Sequence, residues 1–351
     1  MPLISFGGAK HDAWLSAIIA IIFGMVGSYI ITSLAAKYPS MTIIQSSQHI
    51  MGKWLGKLIG LIYIIVSIIL AATFTRDFIE LFLHFITPFM SDTILVTVTL
   101  ATSVFVIRTG LQGIGRLAEL LVPLLFGAII TGLILSIGNI SYIPTIRLEQ
   151  SWSSLLTDAL TQLPYLGMIM AWLFLYPYLP QKSQTPKTLY LSLFIVGLAL
   201  ILVASTIIAV HGPFVPPRLN YHFFTIIQLI EIAGFLRGVE IIFLVGWIST
   251  SIIAITLFYY LSVLSVQQWL GIKRHERLII PLGIICGAGA IYGFDSYMSL
   301  RVFFDLEHLG IIVLPVEFGL PLFLLLVNYF KERFSPADSL HAHTAAKDNH
   351  N

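Results

Sequence analysis

Nine apolar stretches divide this chain, and each is long enough, or nearly so, to cross a lipid bilayer as a helix. A hydrocarbon core about 30 Å thick takes about 20 helical residues. On that measure the stretches are roughly 13–36, 54–75, 93–108, 117–137, 161–180, 188–211, 239–265, 278–294 and 310–330, the third and eighth being short and able to extend into their flanks. The runs are continuous, whereas barrel strands would alternate with a period of two over about ten residues. Charged residues make up only 10% of the chain against 57% hydrophobic ones. A soluble domain carries about 25% charge, so lipid must be the solvent for most of this surface. The expected fold is an all-α integral membrane protein, one transmembrane domain over 1–334 followed by a polar, disordered cytoplasmic tail over 335–351. Residues 221–236 are apolar but interrupted by Gln228 and Glu231, and read as a helix lying at the interface.

Several function classes find no support. A formal net charge of +2 is too small to suggest nucleic acid. The one cysteine, Cys286, allows no intrachain disulfide and sits in an apolar run that points to packing. Residues 1–10 lack the basic start and long apolar core of a cleavable signal. Gly110-Leu111-Gln112-Gly113-Ile114-Gly115 lies between two apolar spans rather than after a strand, so it reads as a helix connector and not a phosphate loop. No span carries a histidine or cysteine pair at ligand spacing, and no nucleophile–base constellation stands out. Neither an enzyme, a metal site nor a cofactor is expected.

The basic residues sort between alternate loops. One set comprises Lys37, Lys53 and Lys57, then Arg108 and Arg116, Lys182 and Lys187, Lys273, Arg274 and Arg277, and finally Lys331, Arg333 and Lys347. The other holds only Lys10, Arg76, Arg147, Arg218, Arg237 and Arg301. The richer set marks the cytoplasmic side, which puts the C-terminus inside and, with nine spans, the N-terminus outside. So short a segment before the first span predicts an upstream helix absent from this chain, with Pro2 to Ala9 as its stump. A nine-span protein with a short translocated N-terminus is the alternative.

Transporters built from inverted repeats bind substrate near the midplane, where corresponding helices are broken. A break frees backbone N–H and C=O groups, and together with the half-helix dipoles these can hold a carboxylate and an ammonium. The fifth span carries the sign of such a break: Leu160-Thr161-Gln162-Leu163-Pro164-Tyr165-Leu166-Gly167-Met168. Pro164 removes a backbone donor and crowds the carbonyl four residues back, and Gly167 admits a ligand close to the chain. A plain proline-kinked helix is the other reading. Elsewhere, Glu119 suits a local pair with Arg116, and Pro123 one turn on should kink its span. Arg76 and Glu80, four apart, suit a surface helix pair. Arg237 and Glu240 suit an interfacial anchor. Ser249, Thr250 and Ser251, near Trp247, either face a cavity or bond back to their own helix. Asp295, Asp305 and Glu307 are expected in solvent. Glu317, between Pro315 and Pro321, is an intramembrane carboxylate with no partner visible in the sequence.

The chain resembles the B-type membrane subunit of spore germinant receptors, the GerAB-like spore permeases of the amino acid–polyamine–organocation superfamily. The resemblance runs to about Phe334. It rests on Asp12-Ala13-Trp14-Leu15-Ser16, Tyr38-Pro39-Ser40-Met41-Thr42, Gly52-Lys53-Trp54-Leu55-Gly56-Lys57, Arg116-Leu117-Ala118-Glu119-Leu120 with Pro123, and Leu163-Pro164-Tyr165-Leu166-Gly167. Each is weak alone, and their order and spacing carry the match. The resemblance implies a five-plus-five inverted repeat of ten helices, here lacking most of the first, with a ligand site between the first and sixth. It implies a complex with A-type and lipoprotein C-type subunits in the spore inner membrane, sensing small nutrients such as amino acids. Carried over by position, Pro164, Tyr165, Leu166 and Gly167 line the ligand site, with Trp247 and Ser251 on a facing helix. Two departures stand out: Tyr221-His222 replaces the family's Tyr-Pro, and Leu236-Arg237-Gly238 replaces its Glu-Arg. Loss of the first helix would also remove half of the site. The competing functions are an ion- or proton-coupled amino acid transporter, with Glu317 or Glu119 as titrating group, and a truncated subunit that serves assembly only.

Overall fold

Most described residues of the nine apolar stretches fall on helix. The computed structural model describes residues 10–144, 151–166, 169–216, 219, 221–229 and 240–334, and among them every regular element is helical. The elements are α1 (Ala13–Lys37), α2 (Ile43–Met51), α3 (Lys53–Phe85), α4 (Asp92–Arg108), α5 (Gly110–Leu135), α6 (Trp152–Leu166), α7 (Met170–Leu175), α8 (Thr185–His211), α9 (His222–Gln228), α10 (Glu240–Leu270), α11 (Glu276–Tyr292) and α12 (Tyr297–Phe303). A last crossing spans Leu306–Phe334. Six runs among the described residues are each long and apolar enough to cross a membrane: Ala13–Lys37, Lys53–Phe85, Gly110–Asn139, Lys182–His211, Glu240–Leu270 and Leu306–Phe334. The pair α11 and α12 meets the same measure only when taken together, across a bend of 108° that fits a broken span or a re-entrant loop. This is an integral membrane protein of the all-α class. The expected stump at Pro2 to Ala9, the tail after Phe334, and Arg237 lie outside the described residues.

Boundaries moved where polar residues found partners inside the bundle. α3 continues ten residues past its expected end because Arg76, Asp77 and Glu80 are absorbed into it. Arg76 is buried, its Nε donating to Glu80 at 2.9 Å and its Nη1 to Asp92 of α4 at 3.1 Å. What reads as a surface pair is a tie between two helices centred on a buried arginine. The fifth span begins at Trp152 rather than 161, its extra turns presenting Leu155, Asp158, Ala159, Gln162 and Leu163 to the interior at helical spacing. α2 was not legible. It is a short helix opened by Gln45, whose side chain accepts from the Thr42 N–H at 3.1 Å, and it packs against α3. α5 runs through Pro123 as continuous helix. Glu119 and Arg116 are both exposed and form no ion pair with each other.

The main core lies where α10 crosses α3. Tyr63, Phe258 and Tyr259 are fully buried there, and Phe74 stacks on Phe258 with ring centroids 5.3 Å apart. α10 also lies close on α5, because a Cβ on Gly246 would sit 3.1 Å from the Leu125 Cα. A second cluster joins the start of α1 (Ala13, Ala20) to Leu155 and Ala159 of α6, to α8 and to α9.

Among the described residues, Lys37, Lys57, Lys182 and Lys331 gather at one end of the bundle and Arg76 lies at the other. At one end Lys37 of α1 pairs with Glu332 at 2.8 Å. Lys331 donates to the Ile50 carbonyl, Lys182 to the Pro39 carbonyl at 2.7 Å, and the Trp269 indole N–H to the Lys57 carbonyl at 2.8 Å. The Arg76 network and the aromatic cluster of His84, Phe85, Tyr221 and Tyr297 mark the other end.

The last crossing is not a uniform α-helix. π-helical turns at Leu306–Gly310 and Pro315–Gly319 flank α13 (Ile311–Leu314), and α14 (Leu320–Phe334) follows. Two prolines explain the second turn. Pro315 and Pro321 bring no N–H to the ladder, and the Leu320 N–H bonds five residues back, to the Pro315 carbonyl. The Val316 carbonyl therefore gets neither its i+4 nor its i+5 donor, and instead accepts from the Tyr63 hydroxyl of α3 at 3.0 Å.

Candidate functional site

A proline and a buried, unsatisfied glutamine lie together in the fifth span. α6 ends at Leu166, Ile169 is a turn residue, and α7 starts at Met170. Pro164 lies in the last turn of α6 and, with Leu163, is buried in the bundle rather than facing lipid. Two residues before it, Gln162 is 1% exposed, and neither its amide oxygen nor its nitrogen has a hydrogen-bond partner. α6 packs against α1 and against Leu306–Leu314 of the last crossing. In the next turn of that crossing Glu317 is also 1% exposed, with Oε2 unpartnered. α1 packs against this turn through Gly27, where a Cβ would fall 1.7 Å from Phe318 Cε1. Lone polar groups at membrane depth are costly unless something satisfies them, so Gln162 and Glu317 are the candidate polar groups of a site.

A cavity of about 250 Å³ lies nearer the outer end, between α3, α5, α8 and α10 and under α9. Its walls are apolar (Leu81, Leu125, Ile129, Val203, Phe243) apart from Trp247 and the α9 entrance residues Tyr221 and His222. The His222 Nε2–H donates to the Pro216 carbonyl at 2.8 Å. Burial pushes its imidazole down to about 4, the Pro216 bond opposing that shift. Burial likewise pushes the Tyr221 hydroxyl up.

The sequence profile of the spore permeases, described as spore germination protein, matches residues 2–293. The chain belongs to the spore permease family. Spore germination protein KB of Bacillus subtilis (strain 168) is 24% identical to this permease over 339 residues, covering 93% of this chain and 88% of that protein. Spore germination protein YndE of the same organism is 24% identical over 127 residues, 36% of this chain and 35% of that protein.

The permease places its expected site residues unevenly. Pro164 is buried within α6, and Tyr165 and Leu166 are the last described residues of that helix. Gly167 lies outside the described residues. Trp247 lines the apolar cavity. Ser251 Oγ donates to the Trp247 carbonyl at 2.8 Å, and Ser249 and Thr250 bond back in the same way to Val245 and Gly246. Of the two readings of the hydroxyl cluster, the structure shows back-bonding. Asp295, Asp305 and Glu307 are exposed, as expected. Gln162 was not singled out from the sequence. A single glutamine on an otherwise apolar helix face, one turn after Asp158, is the pattern that points to it.

Proposed function

We propose that this spore permease is the B-type membrane subunit of a spore germinant receptor, seated in the spore inner membrane with its C-terminus in the cytoplasm. It binds a small nutrient, an amino acid or similar amphipathic molecule, at the turn between α6 and α7. The observation that carries this reading is a buried Pro164 beside a buried, unsatisfied Gln162 within a crossing, in a chain whose relative is named for spore germination. Pro164, Tyr165, Leu166 and Gly167 line the ligand site, with Trp247 and Ser251 on α10. Nine crossings in the chain as given, arranged as an inverted repeat, fit the helix order and the sorting of basic residues. Ligand binding favours one arrangement of the bundle, and A-type and C-type subunits read that shift.

The test is genetic and biochemical together. Spores carrying Gly167→Leu should keep the protein in the inner membrane and lose the nutrient response that depends on this receptor. A wild-type dose–response in that variant sinks the site. A second reading, a proton-coupled amino acid transporter, is favoured by the buried Glu317 carboxyl within a crossing. Uptake of radiolabelled amino acids into liposomes holding only this chain would establish it and overturn a purely sensory role.

A further inference from the structure

Glu317 and Gln162 sit at the same depth on neighbouring elements. The Lys37–Glu332 pair puts the ends of α1 and of the last crossing together, so the latter starts, at Leu306, from the opposite end. α6 starts from that opposite end too, since Leu155 clusters with Ala13 at the beginning of α1. At about 1.5 Å per residue, Gln162 lies about 15 Å along α6 and Glu317 about 16 Å along the last crossing, and α6 packs on the segment leading into Glu317. Among the described residues the ion pairs are those of Lys37 with Glu332 and of Arg76 with Glu80 and Asp92, and none reaches Glu317. The Tyr63 phenol of α3 donates its proton to the carbonyl of the neighbouring Val316.

A carboxyl with no cation beside it and a primary amide with both ends open form half of a recognition site. The missing half is a group that brings positive charge and both hydrogen-bond donors and acceptors. Lipid cannot supply it at this depth, and the described protein does not.

We propose that Glu317 is the counter-ion for the ammonium group of the ligand, and that Gln162 hydrogen-bonds the same molecule, so that the permease selects small nutrients carrying a free amine. This rests on the nutrient-binding reading above and adds the residues that set ligand class. An amine entering the site gains a fixed partner already stripped of water. A neutral analogue of the same shape leaves the carboxyl and the amide unsatisfied.

The test uses the full chain in lipid nanodiscs, with the twenty standard amino acids offered singly and binding read by calorimetry. At least one should bind. Its N-acetyl derivative, which has the same side chain and no ammonium, should bind about a hundredfold more weakly or not at all. Glu317→Gln, close in shape, should weaken the free amino acid by a similar factor and narrow its advantage over the N-acetyl form. Equal binding of the free and acetylated forms to the wild-type chain overturns the proposal without recourse to any variant. If Glu317→Gln binds like wild type while Gly167→Leu loses all binding, this proposal fails and the nutrient site stands. If no amino acid binds the wild-type chain, both fall.

Discussion

Replacing Tyr63 by phenylalanine removes a single oxygen from a fully buried ring, and the structure says what that oxygen does. It supplies the Val316 carbonyl with the donor that the π-helical turn withholds, since the Leu320 N–H is engaged by Pro315 and residue 321 is a proline. A net intramolecular hydrogen bond contributes about 0.5–1.5 kcal/mol, and a buried acceptor left open costs about 1–3 kcal/mol. Between membrane helices the measured values average about 0.6 kcal/mol and reach about 1.7. Tyr63→Phe should fall at the upper end, about 1.5 kcal/mol, because no backbone N–H is in place to take over. Pro321→Ala returns an N–H at the i+5 position, and in that background Tyr63→Phe should cost less than about 0.5 kcal/mol. The assay is a double-mutant cycle of unfolding free energies in mixed micelles titrated with a denaturing detergent. A coupling of about 1 kcal/mol is expected. Strict additivity would refute the account of why the turn is π-helical and what Tyr63 is for.

Other consequences are open to simpler measurements. Arg76→Met should destabilise the protein by about 3 kcal/mol, since it strands the Glu80 carboxylate, whose side chain is only 13% exposed. Asp92→Asn should cost under about 1 kcal/mol, because that partner is 41% exposed, and equal losses would show that burial of Arg76 is not the cause. His222 is held neutral, with its imidazole near 4 in the fold against 6.5 when free. The unfolded chain thus takes up a proton between those values that the folded one refuses. Stability should be full above about pH 6.5 and decline towards pH 4, by up to about 3 kcal/mol, and His222→Gln should flatten that part of a pH series of thermal melts. In a Cys286→Ser background, Ser183→Cys, just before α8, should resist a membrane-impermeant thiol reagent in intact cells and react after permeabilisation. Labelling of intact cells would reverse the assigned sidedness.

The helices were legible because apolar length is a local property, and lipid leaves the backbone few alternatives. Their true extents were not, since these depend on what a polar residue meets across the bundle. Arg76 and Glu80 look like a surface pair until Asp92, sixteen residues away, turns out to close the network. Hydropathy starts the fifth span at Thr161, whereas the helix opens at Trp152, so that Thr161 and Gln162 lie well inside it. Within the candidate site, Pro164 could be read directly. Glu317 stood out as a carboxyl between prolines, but the π-helical turn that carries it follows from where the Leu320 N–H goes, and hydropathy has no record of that. The Ser249–Ser251 cluster shows the converse: a suggestive composition that resolves into ordinary bonds to its own helix.

The second π-helical turn of the last crossing also bears on how the chain tolerates changes in length. A π turn holds one residue more than the α turn it replaces, so the last crossing carries a spare residue in its sequence there. Removing Gly319 would let that turn close into α-helix and leave Asn328, Lys331 and Glu332 aimed at Tyr38, Ile50 and Lys37. Removing Leu325, in regular helix, would swing all three by about 100° and detach that end of the bundle. A gap of one codon would thus be silent at one place and ruinous six residues further on.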